Sequence, residues 1–235
     1  MAKRFYKTVC VKEQENGYSI LLDGRVLKTP GKCTLILAEK FRAKLVAQEW
    51  QVQGEEIRPE TMPCTRLANV ACELTPARRP ELVDEFISYL TTDLLCYWAA
   101  EPLALVEKQD EEWQPLLDWA SETFTLDLAT TTGLEALTHN KASQSHAEKY
   151  ANALGGLDLT LLLHLTACFG SSVLALCVME GHKDVLGAYQ ISRLDEIFQI
   201  SRWGEDPLTR ERVATMEKEL NALGKMIKVK RETTG

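Results

Sequence analysis

The sequence predicts an α+β protein, with a small N-terminal antiparallel β-rich domain over residues 1–75 and a larger all-helical domain over residues 76–235. Three observations point this way. Apolar residues alternate in short, strand-like runs as far as Leu37 and recur at helical spacing from Ala38 onward. Formal charge changes sign along the chain: residues 1–80 carry 14 Lys and Arg against 9 Asp and Glu, while residues 81–235 carry 13 against 25. Thr75-Pro76 opens a helical segment near the same place, with Thr as a cap and Pro at the first helical position, where its missing N–H costs nothing.

Each element follows from its residues. Phe5 to Val11 and Tyr18 to Leu22 are rich in β-branched and aromatic residues and are separated by Glu15-Asn16-Gly17. Asp23-Gly24 between Leu22 and Arg25-Val26-Leu27 is a hairpin signal, because both residues accept the positive φ that a tight turn demands. Thr29-Pro30-Gly31 is a second turn, and Cys33 to Leu37 a further strand. Residues 38–53 then form an amphipathic helix whose Phe41, Leu45, Val46 and Trp50 cover the sheet. A short helix or turn follows Met62-Pro63. Beyond the boundary, Leu82, Val83, Phe86, Ile87 and Leu90 line one helix face, and further helices are expected at 110–124, 139–154, 158–168, 171–180, 184–200 and 208–226. The 184–200 helix should bury Val185, Leu186, Tyr189, Leu194, Ile197 and Phe198, and present Asp195 and Glu196 outward.

Composition narrows the function. A chain of 235 residues, 45% hydrophobic and 26% charged, can build an ordinary globular core. Its net charge of −7 argues against nucleic acid as a partner. Seven scattered cysteines without a C-x-x-C read as reduced core residues rather than zinc ligands. The opening Met-Ala-Lys-Arg-Phe-Tyr-Lys lacks an apolar or amphipathic leader, so a cytoplasmic bacterial protein is expected. Leu159 to Met179 is 21 residues without Asp, Glu, Lys or Arg, long enough to cross a bilayer. His164 and Gly170-Ser171-Ser172 interrupt it, and two buried helices with a serine cap between them account for it without membrane insertion.

No motif for common catalysis is present: no Walker loop, no G-x-G-x-x-G after a strand, no H-E-x-x-H and no G-x-S-x-G. His139 and His146 lie seven apart without a third ligand and read as an exposed polar pair; His164 reads as a hydrogen-bonded core residue. Trp203-Gly204-Glu205-Asp206-Pro207 allows two readings. Two carboxylates beside an indole could contact a basic partner. Alternatively, Asp206 caps the last helix with Pro207 at its first position, and Trp203 packs into the core.

Taken in order, a set of segments resembles one family. These are Arg4-Phe5-Tyr6-Lys7, Leu22-Asp23-Gly24-Arg25 with Lys28-Thr29-Pro30, Glu49-Trp50 with Gln53, Met62-Pro63, and Asp93-Leu94-Leu95-Cys96-Tyr97. Gln109 with Trp113, Gly170-Ser171, Leu194-Asp195-Glu196 and Trp203-Gly204-Glu205-Asp206 continue the series. The chain resembles the assembly chaperones of the F-type ATP synthase catalytic head that bind the free α subunit. The resemblance implies a β-rich domain before a helical one, and binding rather than catalysis, with no cofactor. It also implies a monomer of alphaproteobacterial type whose partner is the ATP synthase α subunit, with Trp203, Glu205 and Asp206 as the contact residues. A hydrolase built on Glu205, Asp206 and a histidine brought near by folding, or a membrane adaptor using residues 159–179, are the alternatives.

Overall fold

A computed structural model of the chain describes residues 2–138 and 140–228. Strands β1 (Ala2–Lys3), β2 (Val9–Gln14), β3 (Gly17–Leu22), β4 (Arg25–Val26), β5 (Ile36–Leu37) and β6 (Glu56–Ile57) surround helix α1 (Lys40–Gln51) in sequence. All described pairings of these strands are antiparallel: β2 and β4 flank β3, β5 pairs with the start of β3, and β1 pairs with β6. Asp23 and Gly24 take φ of +49° and +79°, the successive left-handed residues of the expected hairpin turn. The first long strand starts at Val9 rather than Phe5. The residues before it are held by side chains instead: the Asp23 carboxylate accepts the N–H of Lys7 (3.1 Å) and Thr8 (2.8 Å), and the Tyr6 hydroxyl donates to the Trp50 carbonyl (2.7 Å). The strand expected over Cys33 to Leu37 shrinks to Ile36–Leu37, with Thr34 making only an isolated bridge to Lys28.

Helix α1 packs on β2 and β3 as its spacing predicts, but its inward face differs from the predicted one. Ala43, Val46 and Ala47 are buried together with Arg42, whereas Phe41 is exposed. Arg42 turns inward because its charge is answered there. Its side chain is only 2% exposed; Nε donates to the Met226 carbonyl (2.8 Å), one terminal nitrogen meets Glu39 (3.2 Å), and the other meets Asp158.

The rest is helical: α2 (Pro63–Glu73), α3 (Thr75–Thr91), α4 (Leu103–Phe124), α5 (Lys141–Ala153), α6 (Gly156–Phe169), α7 (Ser172–Met179), α8 (Val185–Ser192), α9 (Leu194–Trp203) and α10 (Pro207–Gly224). Leu74, at the expected domain boundary, is the joint between α2 and α3. The uncharged run becomes α6 and α7, broken at Gly170 (φ +64°), where the Ser171 hydroxyl accepts the N–H of Leu174 (3.0 Å). Every residue of α7 is buried. None of the described helices is long and apolar enough to cross a membrane.

A second lock lies beside that break. Asp93 is wholly buried and accepts the N–H of Leu95 (3.1 Å) and of Val173 (3.0 Å), so one carboxylate serves the starts of two helical turns. Burial pushes its pKa up to about 6, against the opposing pull of the hydrogen bonds from Val173, Ser171 and Leu95.

The structure departs from the sequence expectations at four further points. The 184–200 helix is two helices, α8 and α9, because Arg193 leaves helical geometry (φ −109°, ψ 18°). Ile197 is exposed, and Asp195 points to the buried Gln109 rather than outward: Gln109 Nε2 donates to its carboxylate (2.7 Å), while Gln109 Oε1 accepts the N–H of Ala99 (2.8 Å). The seven cysteines are free thiols, yet Cys10 and Cys33 are exposed rather than in the core.

Candidate functional site

The Trp203–Asp206 segment forms the corner between α9 and α10. On α9, Phe198 faces the core, and Arg202 and Lys108 place their charges over its ring at 4.5 and 5.8 Å. Gly204 ends the helix at φ +85°, a conformation that a side chain would strain. Asp206 then caps α10: one carboxylate oxygen accepts the N–H of Thr209 (3.0 Å), the other accepts the Thr209 hydroxyl, and Pro207 occupies the first helical position. The Thr209 hydroxyl and N–H hold the Asp206 carboxyl below the usual carboxylate range. Glu205 accepts from Arg210 Nε at 2.8 Å.

The structure bears out one part of the structural alternative and overturns the other. Asp206 is the cap that the structural alternative expects. Trp203 is not in the core, however: it stands 78% exposed. Sequence reasoning also missed two neighbours along the chain, Ile197 and Leu208, the latter 65% exposed. A leucine in the first turn after a capped Pro was the available signal for Leu208. Nothing local marked Ile197, which falls at a spacing that ordinarily faces the core.

Both carboxylates of this corner are engaged within it: Asp206 accepts from the Thr209 N–H and hydroxyl, and the Glu205 charge is offset by Arg210. His164 Nε2 lies 3.5 Å from Glu219, and His182 stacks on Trp119 at a ring separation of 4.5 Å; burial lowers the pKa of both. His146 is half-buried, with its Nδ1 shut from water and without a hydrogen-bond partner. His139, half of the expected polar pair, lies outside the described residues. Among the described residues no three His, Cys, Asp or Glu side chains gather into a metal site.

The remaining motif segments are mostly scaffold. Glu49 caps α2, accepting the N–H of Cys64 (2.8 Å) and Thr65 (2.7 Å), and Gln53 Oε1 accepts the N–H of Arg58 (2.8 Å) while Arg4 donates to the Gln53 carbonyl. Trp113 Nε1 donates to the Ile191 carbonyl at 3.3 Å. The corner thus carries an exposed indole at the end of α9 and an exposed leucine at the start of α10, with both carboxylates engaged locally.

A model of the family described as ATP12 chaperone protein matches residues 3–121. The mitochondrial protein atp12 of Schizosaccharomyces pombe is 27% identical over 214 residues, covering 86% of this chain and 74% of its own. The crystal structure of Atp12 from Paracoccus denitrificans superposes with a TM-score of 0.86 at 37% identity, covering 95% of both chains. A chaperone candidate from Agrobacterium tumefaciens superposes with a TM-score of 0.91 at 32% identity, covering 96% of this chain and 85% of that one. The chain belongs to the ATP12 chaperone family, the ATP synthase assembly factors that its motif series resembles.

Proposed function

We propose that this protein binds the free α subunit of the F-type ATP synthase and shields its β-facing surface until β displaces it, without hydrolysing ATP. An α subunit outside its ring exposes apolar surface meant for a neighbour, and such surface aggregates. A binder that covers it keeps α soluble by mass action alone. Release to β requires a weaker contact than the final assembly makes, which a small aromatic anchor with a polar rim supplies. The observation that carries this reading is the 78% exposed Trp203 at the end of α9, with Leu208 exposed at the start of α10 and Glu205 and Asp206 between them in sequence. On this reading the protein works as a monomer in the bacterial cytoplasm.

The test is co-expression with the α subunit of the same organism, without β, followed by size-exclusion chromatography. A soluble complex that disperses on addition of β is expected. Glu205→Lys should abolish the rescue of α, and Trp203→Ala should weaken it by roughly thirtyfold, the usual scale for an aromatic hot spot. Insoluble α beside the intact wild-type protein would refute the client. Full rescue by both variants would remove the α9–α10 corner from the contact.

A further inference from the structure

The N-terminal part holds a cleft of about 840 Å³ that the corner site does not use. Its floor and walls are apolar, formed by Leu22, Leu27, Ile57, Met62, Tyr6 and Trp50. At its rim Phe5 is 71% exposed and stacks edge-on with Tyr6 at 5.3 Å, and Val26 is exposed as well. Solvent-facing rings and branched side chains around an apolar cleft mark a surface that another chain covers.

The charges around this cleft state what kind of chain. Its one carboxylate, Asp23, is spent on the N–H groups of Lys7 and Thr8. Arg66 is engaged by Glu219 at 2.8 Å. Arg25 and Lys28 have no acidic partner among the described residues, and both line the opening. A cationic lip over an apolar floor, in a chain whose net charge is −7, attracts a segment of opposite pattern. Trp50 adds a further polar group to the wall: its indole N–H is shut from water and lacks an acceptor.

We infer that this cleft is a second contact for the client, taking an extended segment of it in which a large apolar side chain is flanked by Asp or Glu. The apolar side chain seats on Leu22, Leu27 and Met62, and the carboxylate meets Arg25 and Lys28. The inference rests on the proposed chaperone role for the identity of the client, and on the cleft alone for the chemistry of the segment.

The test uses the full chain, wild type and with Arg25→Glu combined with Lys28→Glu. Both sites are exposed on the hairpin, so the fold should be unaffected, which circular dichroism checks. Each protein is applied to an array of overlapping short peptides spanning the ATP synthase α subunit. The strongest wild-type signals should fall on peptides with Leu, Ile or Phe within two positions of Asp or Glu. The double variant should lose them by at least about tenfold, and raised salt should weaken them. Binding that favours basic or wholly apolar peptides, no binding at all, or binding that the double variant retains would overturn the inference. A wild-type dimer that the double variant fails to form would put a second copy in the cleft and overturn it too. Co-expression of wild type with α reads the chaperone proposal separately: insoluble α defeats that proposal, while the array still decides the cleft.

Discussion

Replacing Arg42 by methionine removes the cation that joins Glu39, Asp158 and the Met226 carbonyl, leaving Glu39 with Lys228 at 3.9 Å and Asp158 without a cation among the described residues. Breaking a buried ion pair from one side costs roughly 3–5 kcal/mol, because the remaining charge is left desolvated. Here the arginine is 2% exposed, but its two carboxylate partners keep about a quarter of their side-chain surface in water. Water can therefore answer part of the orphaned charge, which places the loss at the low end, about 3 kcal/mol. Methionine fills much of the arginine stem's volume, so little is added for a cavity. At roughly 2–4 °C per kcal/mol for a chain of this size, Tm should fall by about 6–12 °C. Urea unfolding followed by far-ultraviolet circular dichroism measures the first figure, and calorimetry the second. Arg210→Met is the control: its pair with Glu205 is solvent-facing on the arginine side and should contribute within about 1 kcal/mol. If Arg42→Met cost no more than the control, the buried network would not hold the two ends of the chain together.

Three further outcomes are expected. Because the folded-state pKa of Asp93 lies near 6, above the ordinary value of about 4, the folded protein keeps a proton that the unfolded chain gives up. The stability difference between wild type and Asp93→Asn should therefore fall as pH rises from about 4 to about 6 and level off above; a difference that rose over this range would show the shift to have the opposite sign. Ser171→Ala should destabilise by about 1–2 kcal/mol through loss of the α7 cap, and Ser171→Thr by clearly less; equal stability of the alanine variant and wild type in urea would mean that no such cap forms. Trp50→Arg should destabilise by about 3 kcal/mol, since it replaces an indole packed 5.6 Å from the Tyr6 ring by a charge with no partner. Amide hydrogen exchange should show β2 and β3 losing protection in this variant, and unchanged protection there would count Trp50 out of the sheet's support.

Local chemistry made some elements legible. Asp23-Gly24 announced its hairpin because few residues accept two successive positive φ values, and Gly170-Ser171 announced the break between α6 and α7 for a similar reason. Where no such residue stands, the sequence is silent. Arg193 splits α8 from α9 without Pro or Gly, so periodicity ran the two together. Asp195 was expected outward because carboxylates usually are; its acceptor role depends on Gln109, 86 positions earlier, which no local pattern reveals. Arg42 falls in the same class, an ordinary helix-surface residue until the fold delivers Asp158 and Met226. At the corner site the cap was readable from Asp206-Pro207, while the exposure of Trp203 was not, because an aromatic at a helix end serves a core and a contact surface equally well on paper. The N-terminal cleft lay hidden for another reason: its floor is made of hairpin, β6 and α2-leading residues that are consecutive only in space.

The bond from Arg42 to the Met226 carbonyl closes a loop of 184 residues. During synthesis α1 emerges early with Arg42 paired only to Glu39, one of its three lasting acceptors. Asp158 arrives with α6, and Met226 only after α10 has left the ribosome. The β-rich part can collapse before then, but Arg42 waits for two of its partners, and the long-range closure that supplies them belongs to the slow class of folding events. The fold is thus finished from its far end backward. Shortening the chain by a few residues upstream of Met226 should therefore damage α1, at the opposite end of the sequence.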